Sequence, residues 1–272
     1  VGGLGEPDAE THATELVREA LRNGCQRIVS VGGDGTHNEV ANGFYAGKQP
    51  VNPDACLAIL SYGTGADFGR TLGLPRGFHG LERLACAQPM PIDVGVVTHG
   101  LRDGGESVRY FVNVADFGVG GAVVDRVNRT SKFFGGFLSF LYGVVSTLAP
   151  YSNKHIELDI DGNHIKGRMS NVIIANGQYY GGGMHVAPEA RLDSGEFEVY
   201  VIGDVGRREA ILNLPKIYRG HLLKRMDKGQ YFLAKRIVAR SDETVLLNLD
   251  GEQPGRLPAT FEILPRALNI LV

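Results

Sequence analysis

The chain has 272 residues, with 28 Lys and Arg against 30 Asp and Glu, so its formal charge is −2, which gives no global support for a nucleic-acid partner. Hydrophobic residues make up 43% and charged residues 21%, the balance of an ordinary globular chain, which excludes extensive disorder or low complexity. Glycine is the outlier at 38 residues, about twice the usual share of ~7%, and predicts tight turns and close approaches of bare backbone. Residues 8–23 read as an amphipathic helix, with Leu16, Val17, Ala20 and Leu21 at helical spacing and Gly24 as the stop. Arg27 to Val31 is a short buried strand, and a helix follows from His37 to Tyr45. Residues 55–60 form a second buried strand, again followed by a glycine turn and a helix. Helix, strand, glycine turn, helix is the rhythm of an α/β layer with a parallel sheet. That such a chain opens on a helix means either that a first strand is missing ahead of it, the reading favoured here, or that the domain is built differently.

After Asp93 the texture changes to short strands: Tyr110–Val114, His155–Ile160, His164–Met169, Asn171–Ala175, Glu196–Ile202, Tyr231–Ala239 and Thr244–Leu249. Asp161-Gly162-Asn163 reads as a hairpin turn. Helices are expected only at 132–149 and at 207–226, where Pro215 interrupts. The expected boundary is near residue 95. The 19 residues from Phe133 to Tyr151 hold no charge; their glycines, serines and Pro150 favour a buried or lipid-facing helix over a membrane span. The three cysteines, Cys25, Cys56 and Cys86, have no CxxC spacing, which argues against a disulfide framework or thiolate zinc site. They are expected to be small buried apolar residues of a chain in a reduced compartment. Residues 1–10 are polar and glycine-rich and are not read as a signal peptide.

The strongest chemical signal is Gly32-Gly33-Asp34-Gly35-Thr36, directly after the first strand. Glycines there expose backbone N–H groups, and the next helix points its positive end at the turn, which favours a bound phosphate. Asp34 makes sense there if a cation such as Mg²⁺ bridges carboxylate and phosphates; a tight turn with a solvated Asp34 is the plain alternative. The second strand repeats the device in Gly63, Thr64, Gly65, Ala66 and Asp67, and two such turns would converge at the carboxyl edge of a parallel sheet. His37 stands beside the first turn, within reach of a phosphate. A third glycine-rich stretch, residues 176–183, follows the Asn171–Ala175 strand, and residues 247–252 read LNLDGE.

In order, GGDGTxNEVxNG, GTGxDFxRTLGLP, FxNxxxxGxxxxV, NGxYYGGGxxxxPxAxxDxGxxxV and LxxDGE resemble the bacterial diacylglycerol kinase catalytic-domain family. That family is similar to sphingosine and ceramide kinases and, more distantly, to NAD kinases. The resemblance runs from about residue 8 to the end of the chain. It implies an N-terminal α/β nucleotide-binding domain, residues 1–94 with a C-terminal return at about 258–272. A β-sandwich-like substrate domain, residues 95–257, would face it across an active-site cleft. It implies transfer of the γ-phosphoryl group of ATP to a lipid hydroxyl, with Mg²⁺ required. Gly32, Gly33, Asp34, Gly35 and Thr36 would cradle the phosphates, and Gly63, Thr64 and Asp67 would complete the nucleotide site. Asp34, Asp67 and Asp93 would form a water-linked Mg²⁺ network. Asp250 would take the proton from the lipid hydroxyl, and a loop matching Arg191, Ser194 and Glu196 would hold a structural Mg²⁺. The chain departs from the family at Ala66, where Asn is usual, and at Ser194, where the loop ligand is a carboxylate.

The implied setting is cytoplasmic, peripheral to the inner face of the membrane, with a lipid substrate, no nucleic acid, and a homodimer left open. Residues 133–151 are the expected wall for acyl chains. The seven basic residues between 219 and 240 (Arg219, Lys224, Arg225, Lys228, Lys235, Arg236, Arg240) are a candidate docking face for anionic lipid, with a plainly solvated face as the alternative. A small-molecule kinase of the NAD kinase type and a non-catalytic nucleotide- or lipid-binding homologue remain as alternatives.

Overall fold

A computed structural model describes residues 12–62, 65–77, 79–100, 105–130, 143–144, 146–148, 150–218, 220 and 226–272. The chain begins with α1 (His12–Arg22), β1 (Arg27–Gly32), α2 (Asp34–Gly43), the two-residue pair β2 (Tyr45–Ala46) and β3 (Gln49–Pro50), β4 (Cys56–Ser61), α3 (Asp67–Thr71) and α4 (His79–Leu84). A 12-residue strand, β5 (Pro89–Gly100), leads out of this lobe into β6 (Glu106–Phe111), β7 (Val114–Gly118) and α5 (Val119–Thr130). Then come β8 (Lys154–Ile160), β9 (Asn163–Met169), β10 (Asn171–Ala175), β11 (Tyr179–Tyr180), β12 (Met184–His185) and β13 (Phe197–Ile202). The chain ends with α6 (Arg207–Ile217), β14 (Gly229–Ala234), β15 (Arg236–Arg240), β16 (Leu247–Leu249) and the 16-residue β17 (Arg256–Leu271).

β1 and β4 run parallel, as the α/β reading requires, and the end of β17 pairs parallel with β4 at Asn269 and Ile270. β5 and β17 pair antiparallel along nearly their whole length, from Leu271 opposite Pro89 to Arg256 opposite Gly100. These two long strands carry one eight-stranded sheet through both lobes, in the order β1-β4-β17-β15-β8-β9 with β5 and β6 joined to β17. A second sheet, β14-β13-β10-β7-β16, faces it. Their inner faces meet in a core that includes Phe111, Phe117, Ile156, Phe197 and Phe261, all fully buried. A separate core in the first lobe gathers Val17, Leu21, Val40, Leu57, Phe68 and Ile92. Alternation of apolar and polar positions in β8, and its near absence in β4 and β10, follows from burial on one face against burial on both.

Several expected elements change at points with physical causes. The expected strand over 110–114 breaks after Phe111, because the N–H groups of Val112, Asn113 and Val114 turn to one carboxylate, that of Asp250. The expected strand over 231–239 is two strands in different sheets. Asp161 bridges the crossing, accepting from the N–H of Lys235 at 2.7 Å and of Arg236 at 2.9 Å. Asp161 and Gly162 both have positive φ, 46° and 88°, and so close the β8–β9 hairpin as a tight two-residue turn. Cys56 is buried but Cys25 and Cys86 are exposed, against the expectation of three buried thiols; they lie at helix and strand ends outside either core. Among the described residues no helix is long and apolar enough to cross a membrane.

Candidate functional site

The first glycine turn is built as a strand end running straight into a helix. Gly32 ends β1, Gly33 is the N-cap in an extended conformation, and α2 already begins at Asp34, three residues before the expected start. Asp34, Gly35 and Thr36 therefore form the helix's first turn, and Gly33 has no side chain to cap it. Its first N–H groups are left for a ligand or solvent. Glu252 reaches this turn from the other lobe, since a Cβ on Gly35 would lie 2.5 Å from its Oε1.

Asp34 is not a solvated turn residue. Its Oδ2 accepts from the N–H of Asp67 at 3.1 Å and its Oδ1 from that of Phe68 at 3.0 Å. It thus caps α3, whose own N-cap, Ala66, has no side-chain acceptor and sits in the left-handed region at φ 49°. Asn is favoured at both an N-cap and a left-handed position, so the departure to Ala66 shifts the capping to Asp34. Asp67 is buried; its Oδ2 accepts from Gly182 N–H at 2.7 Å and its Oδ1 from Arg70 Nη1 at 3.2 Å. Burial, and then the negative charge of Asp34, push the Asp67 carboxyl up to about 6. Gly65 lies between the two acids, where an added Cβ would be 2.8 Å from Asp34 Oδ2 and 3.3 Å from Asp67 Oδ2. Gly63 and Thr64 lie outside the described residues.

Asp250 reaches the same cavity from the β7–β16 side. It has φ 50° and is buried. Its Oδ2 accepts from Val112 N–H at 2.8 Å and Asn38 Nδ2 at 2.9 Å; its Oδ1 accepts from Asn113 N–H at 3.1 Å and Val114 N–H at 2.8 Å. Burial pushes its carboxyl up to about 6, against the pull of those four donors. Asn38 is tied in turn to Asn42, whose Nδ2 donates to the Asn38 carbonyl at 2.9 Å. Both amides donate to Tyr110 O. Their roles were not anticipated, although the i, i+4 spacing of two asparagines on one helix face was visible in NEVxNG.

The other expected site residues divide. His37 is buried beneath the turn, with Nδ1 2.7 Å from Ser30 Oγ and Nε2 3.3 Å from Ser61 Oγ. Burial lowers its pKa, so it is a neutral brace between β1 and β4 with both ring nitrogens occupied. Asp93 is brought to neither Asp34 nor Asp67. Its Oδ2 accepts from Gly195 N–H at 2.6 Å and its Oδ1 from Arg266 N–H at 2.8 Å, which fastens the 191–196 loop to the bulge of β17. In that loop Ser194 Oγ lies 3.1 Å from Arg191 O and 2.8 Å from Glu196 O. The hydroxyl occupies the space between the two carbonyls, and the carboxylate next to it in sequence, Asp193, is paired with the Arg191 guanidinium. These residues do not fit a structural metal. Asp34 and Asp67 do fit a divalent cation. The charge of Asp34 raises the cost of charging Asp67, and among the described residues no cluster of three or more His, Cys, Asp or Glu gathers. Two carboxylates with phosphate oxygens and water making up the shell is the usual arrangement for Mg²⁺.

Asp34, Asp67 and Asp250 line one cavity of about 350 Å³. Away from these acids its wall turns apolar, with Val123 and Val127 of α5, Leu214 and Ile217 of α6, and Val144 and Leu148. The last two belong to the expected acyl wall; residues 131–142, 145 and 149 lie outside the described residues. Of the basic cluster, Arg219, Lys224 and Arg225 also lie outside them. Lys228 pairs with Glu209 at 3.6 Å and Arg236 with Glu262 at 3.5 Å, which weakens the case for a free basic face.

Comparison with known proteins agrees with this architecture. The family model described as diacylglycerol kinase catalytic domain matches residues 4–97, and that described as YegS C-terminal NAD kinase beta sandwich-like domain matches residues 113–272. The chain is 28% identical over 262 residues to a diacylglycerol kinase of Bacillus subtilis, covering 96% of this chain and 82% of that one. It is 30% identical over 262 residues to a protein of Pseudomonas putida named "Probable lipid kinase YegS-like", covering 95% and 81%. A solved diacylglycerol kinase structure from Bacillus anthracis superposes with a TM-score of 0.70 at 19% identity, over 97% of this chain and 82% of that one, a likeness of fold. With both halves matched in order, and the acidic residues of both lobes meeting in one cavity, the chain belongs to the diacylglycerol kinase and YegS family of kinases.

Proposed function

We propose that the protein transfers the γ-phosphoryl group of ATP to the hydroxyl of a lipid, in a Mg²⁺-dependent reaction at a membrane surface. The observation that carries this reading is the lining of one cavity: carboxylates from both lobes together with the apolar cluster of Val123, Val127, Val144, Leu148 and Leu214. The phosphates lie against the first turn of α2, where Gly32 to Thr36 offer backbone N–H groups. Asp34 and Asp67 would hold Mg²⁺, which when bound offsets the charge of the nucleotide phosphates. The apolar chamber takes acyl chains and excludes water from the reacting end.

Asp250 accepts the proton of the acceptor hydroxyl as its oxygen forms a bond to the γ-phosphorus and the bond to ADP breaks. A carboxyl near 6 is ionised at neutral pH yet basic enough to accept a proton, the condition for effective general-base catalysis. Its four donors fill its acceptor positions, so the hydroxyl has to displace one. Asn38 Nδ2 is suited to yield, because its other N–H donates to Tyr110 O at 2.9 Å.

The domain assignment proposed with this reading is residues 1–94 with 258–272 as nucleotide domain and 95–257 as substrate domain. The cytoplasmic, peripheral setting is part of the same proposal. The test is labelled-ATP phosphorylation of separated lipid classes: diacylglycerol, phosphatidylglycerol, a sphingoid base and ceramide, with NAD as the polar control. Label in one lipid class and none in NAD is expected; label in NAD alone, or in nothing, overturns the reading.

A further inference from the structure

One buried carboxylate lies behind the site without facing it. Asp116, in the middle of β7, is fully buried. It stands opposite Asn248 in the β7–β16 ladder, and its Oδ2 accepts from Asn248 Nδ2 at 2.8 Å. That contact fixes which way the Asn248 amide points. Its donor end is held by Asp116, so its Oδ1 faces the following turn, where it accepts from Gly251 N–H at 2.9 Å. The turn is the one that presents Asp250. Asp250 and Gly251 both take positive φ there, 50° and 97°, and Asp250 N–H donates to Val114 O at 3.0 Å. A left-handed conformation is disfavoured for an L-residue, so the turn needs bonds that over-determine it.

The space for Asp116 is made at Gly120, where any Cβ would collide with its Oδ1. That oxygen has no hydrogen-bond partner that meets normal geometry. A buried, half-satisfied carboxylate is a costly way to hold an amide. Asn248 and Gly120 line the cavity that Asp250 lines, whereas Asp116 does not.

We propose that Asp116 is a positioning residue for Asp250, acting through the Asn248 amide and the Gly251 N–H. The proposal rests on the reading of Asp250 as the proton acceptor. The carboxylate orients the amide, the amide holds the turn, and the turn sets the carboxylate of Asp250 among its four donors. A displacement of about 1 Å at a reacting group can cost on the order of 10²-fold in rate, which is the scale on which such a relay matters.

Two measurements test it. The first is amide hydrogen exchange at Gly251, read residue by residue by NMR on the free protein, which needs no substrate. The second is kcat and KM for labelled ATP with diacylglycerol in mixed micelles. Asp116→Ala removes the acceptor, and Asp116→Asn keeps an oxygen facing Asn248. The expected result is that Asp116→Ala speeds Gly251 exchange at least fivefold and lowers kcat at least tenfold with KM for ATP unchanged. Asp116→Asn is expected to recover both to within threefold. Asn248→Ala, which removes the middle link without emptying position 116, is expected to behave as Asp116→Ala does and serves if that variant fails to fold. Unchanged Gly251 exchange in Asp116→Ala and Asn248→Ala overturns the relay whatever the turnover. Faster exchange with unchanged kcat overturns its catalytic role. A wild-type rate in Asp250→Asn refutes instead the reading on which the proposal rests, and the exchange result keeps the two failures apart.

Discussion

Replacing Asp116 with Asn removes an ionisable group from a fully buried position, and the consequence for stability can be worked out. Burial pushes the Asp116 carboxyl from 3.8 up to about 7, only partly opposed by the hydrogen bond from Asn248 and by the polar groups of Asn171 and Gly121 near it. Tyr151 and Tyr180 are the titratable groups coupled to it, and burial raises both, so neither carries charge near neutrality. Because the folded-state value lies above the unfolded one, the folded protein holds this proton more tightly. The associated stability is complete below about pH 3.8 and is lost as pH rises through about 7. Each unit between those limits is worth about 1.4 kcal/mol. Between pH 5 and pH 8.5 the wild type should therefore lose about 3 kcal/mol through Asp116 alone. Asp67 and Asp250, both near 6, titrate in the same direction, but they are present in both proteins and cancel in the comparison. Urea unfolding of wild type and Asp116→Asn at the two pH values measures the difference. Stability in the variant should fall by about 3 kcal/mol less than in the wild type. Parallel pH dependence in the two proteins would refute the placement of a strongly perturbed carboxyl at this position.

Gly65→Ala puts a Cβ against both Asp34 and Asp67 and should weaken Mg²⁺-ATP binding at least tenfold, read by calorimetry, while the melting temperature changes little. Val123→Trp fills the apolar end of the cavity beside α5; KM for the lipid acceptor should rise tenfold or more with ATP affinity intact, and an unchanged lipid KM would remove the chamber from the acyl path. Ser194→Ala removes the hydroxyl between Arg191 O and Glu196 O and should cost about 1 kcal/mol. A chelator should leave the melting temperature of the wild type unchanged, and a chelator-sensitive melt would show that the loop holds a metal after all.

What the sequence made readable, and what it did not, follows from the range of the interactions. Gly32 to Thr36 and Asp67 were legible because glycine runs after a buried strand carry their own geometry, and each of these features lies within one short stretch of chain. The hairpin at Asp161 and Gly162 was legible for the same reason. β5 and β17 were not foreseen, because strands shared by two lobes are half-buried differently along their length and show no single period. The break at Val112 and Asn113 was hidden because its cause, Asp250, lies 138 residues away in sequence from Val112. Asp93 shows the same limit: no local pattern in PMPID tells that its two oxygens accept from the backbone of Gly195 and Arg266. The Asp116 to Asn248 contact depends on register between β7 and β16, which no local pattern specifies. Conversely, Asn38 and Asn42 could have been singled out, since two amides one helical turn apart beside a glycine-rich strand-to-helix turn stand out in the sequence.

The central claim is that Asp250 takes a proton from the acceptor hydroxyl while the opposite lobe holds the nucleotide. The most direct measurement is turnover of labelled ATP onto lipid by Asp250→Asn across pH 5 to 8.5, with nucleotide binding followed in parallel. The wild-type rate should rise with pH through about 6, where the Asp250 carboxyl ionises, and then level off. The variant should lose about 10²-fold or more of kcat, show no such rise, and bind ATP as the wild type does. A variant that phosphorylates lipid at the wild-type rate, or a wild type indifferent to pH across that interval, would contradict it.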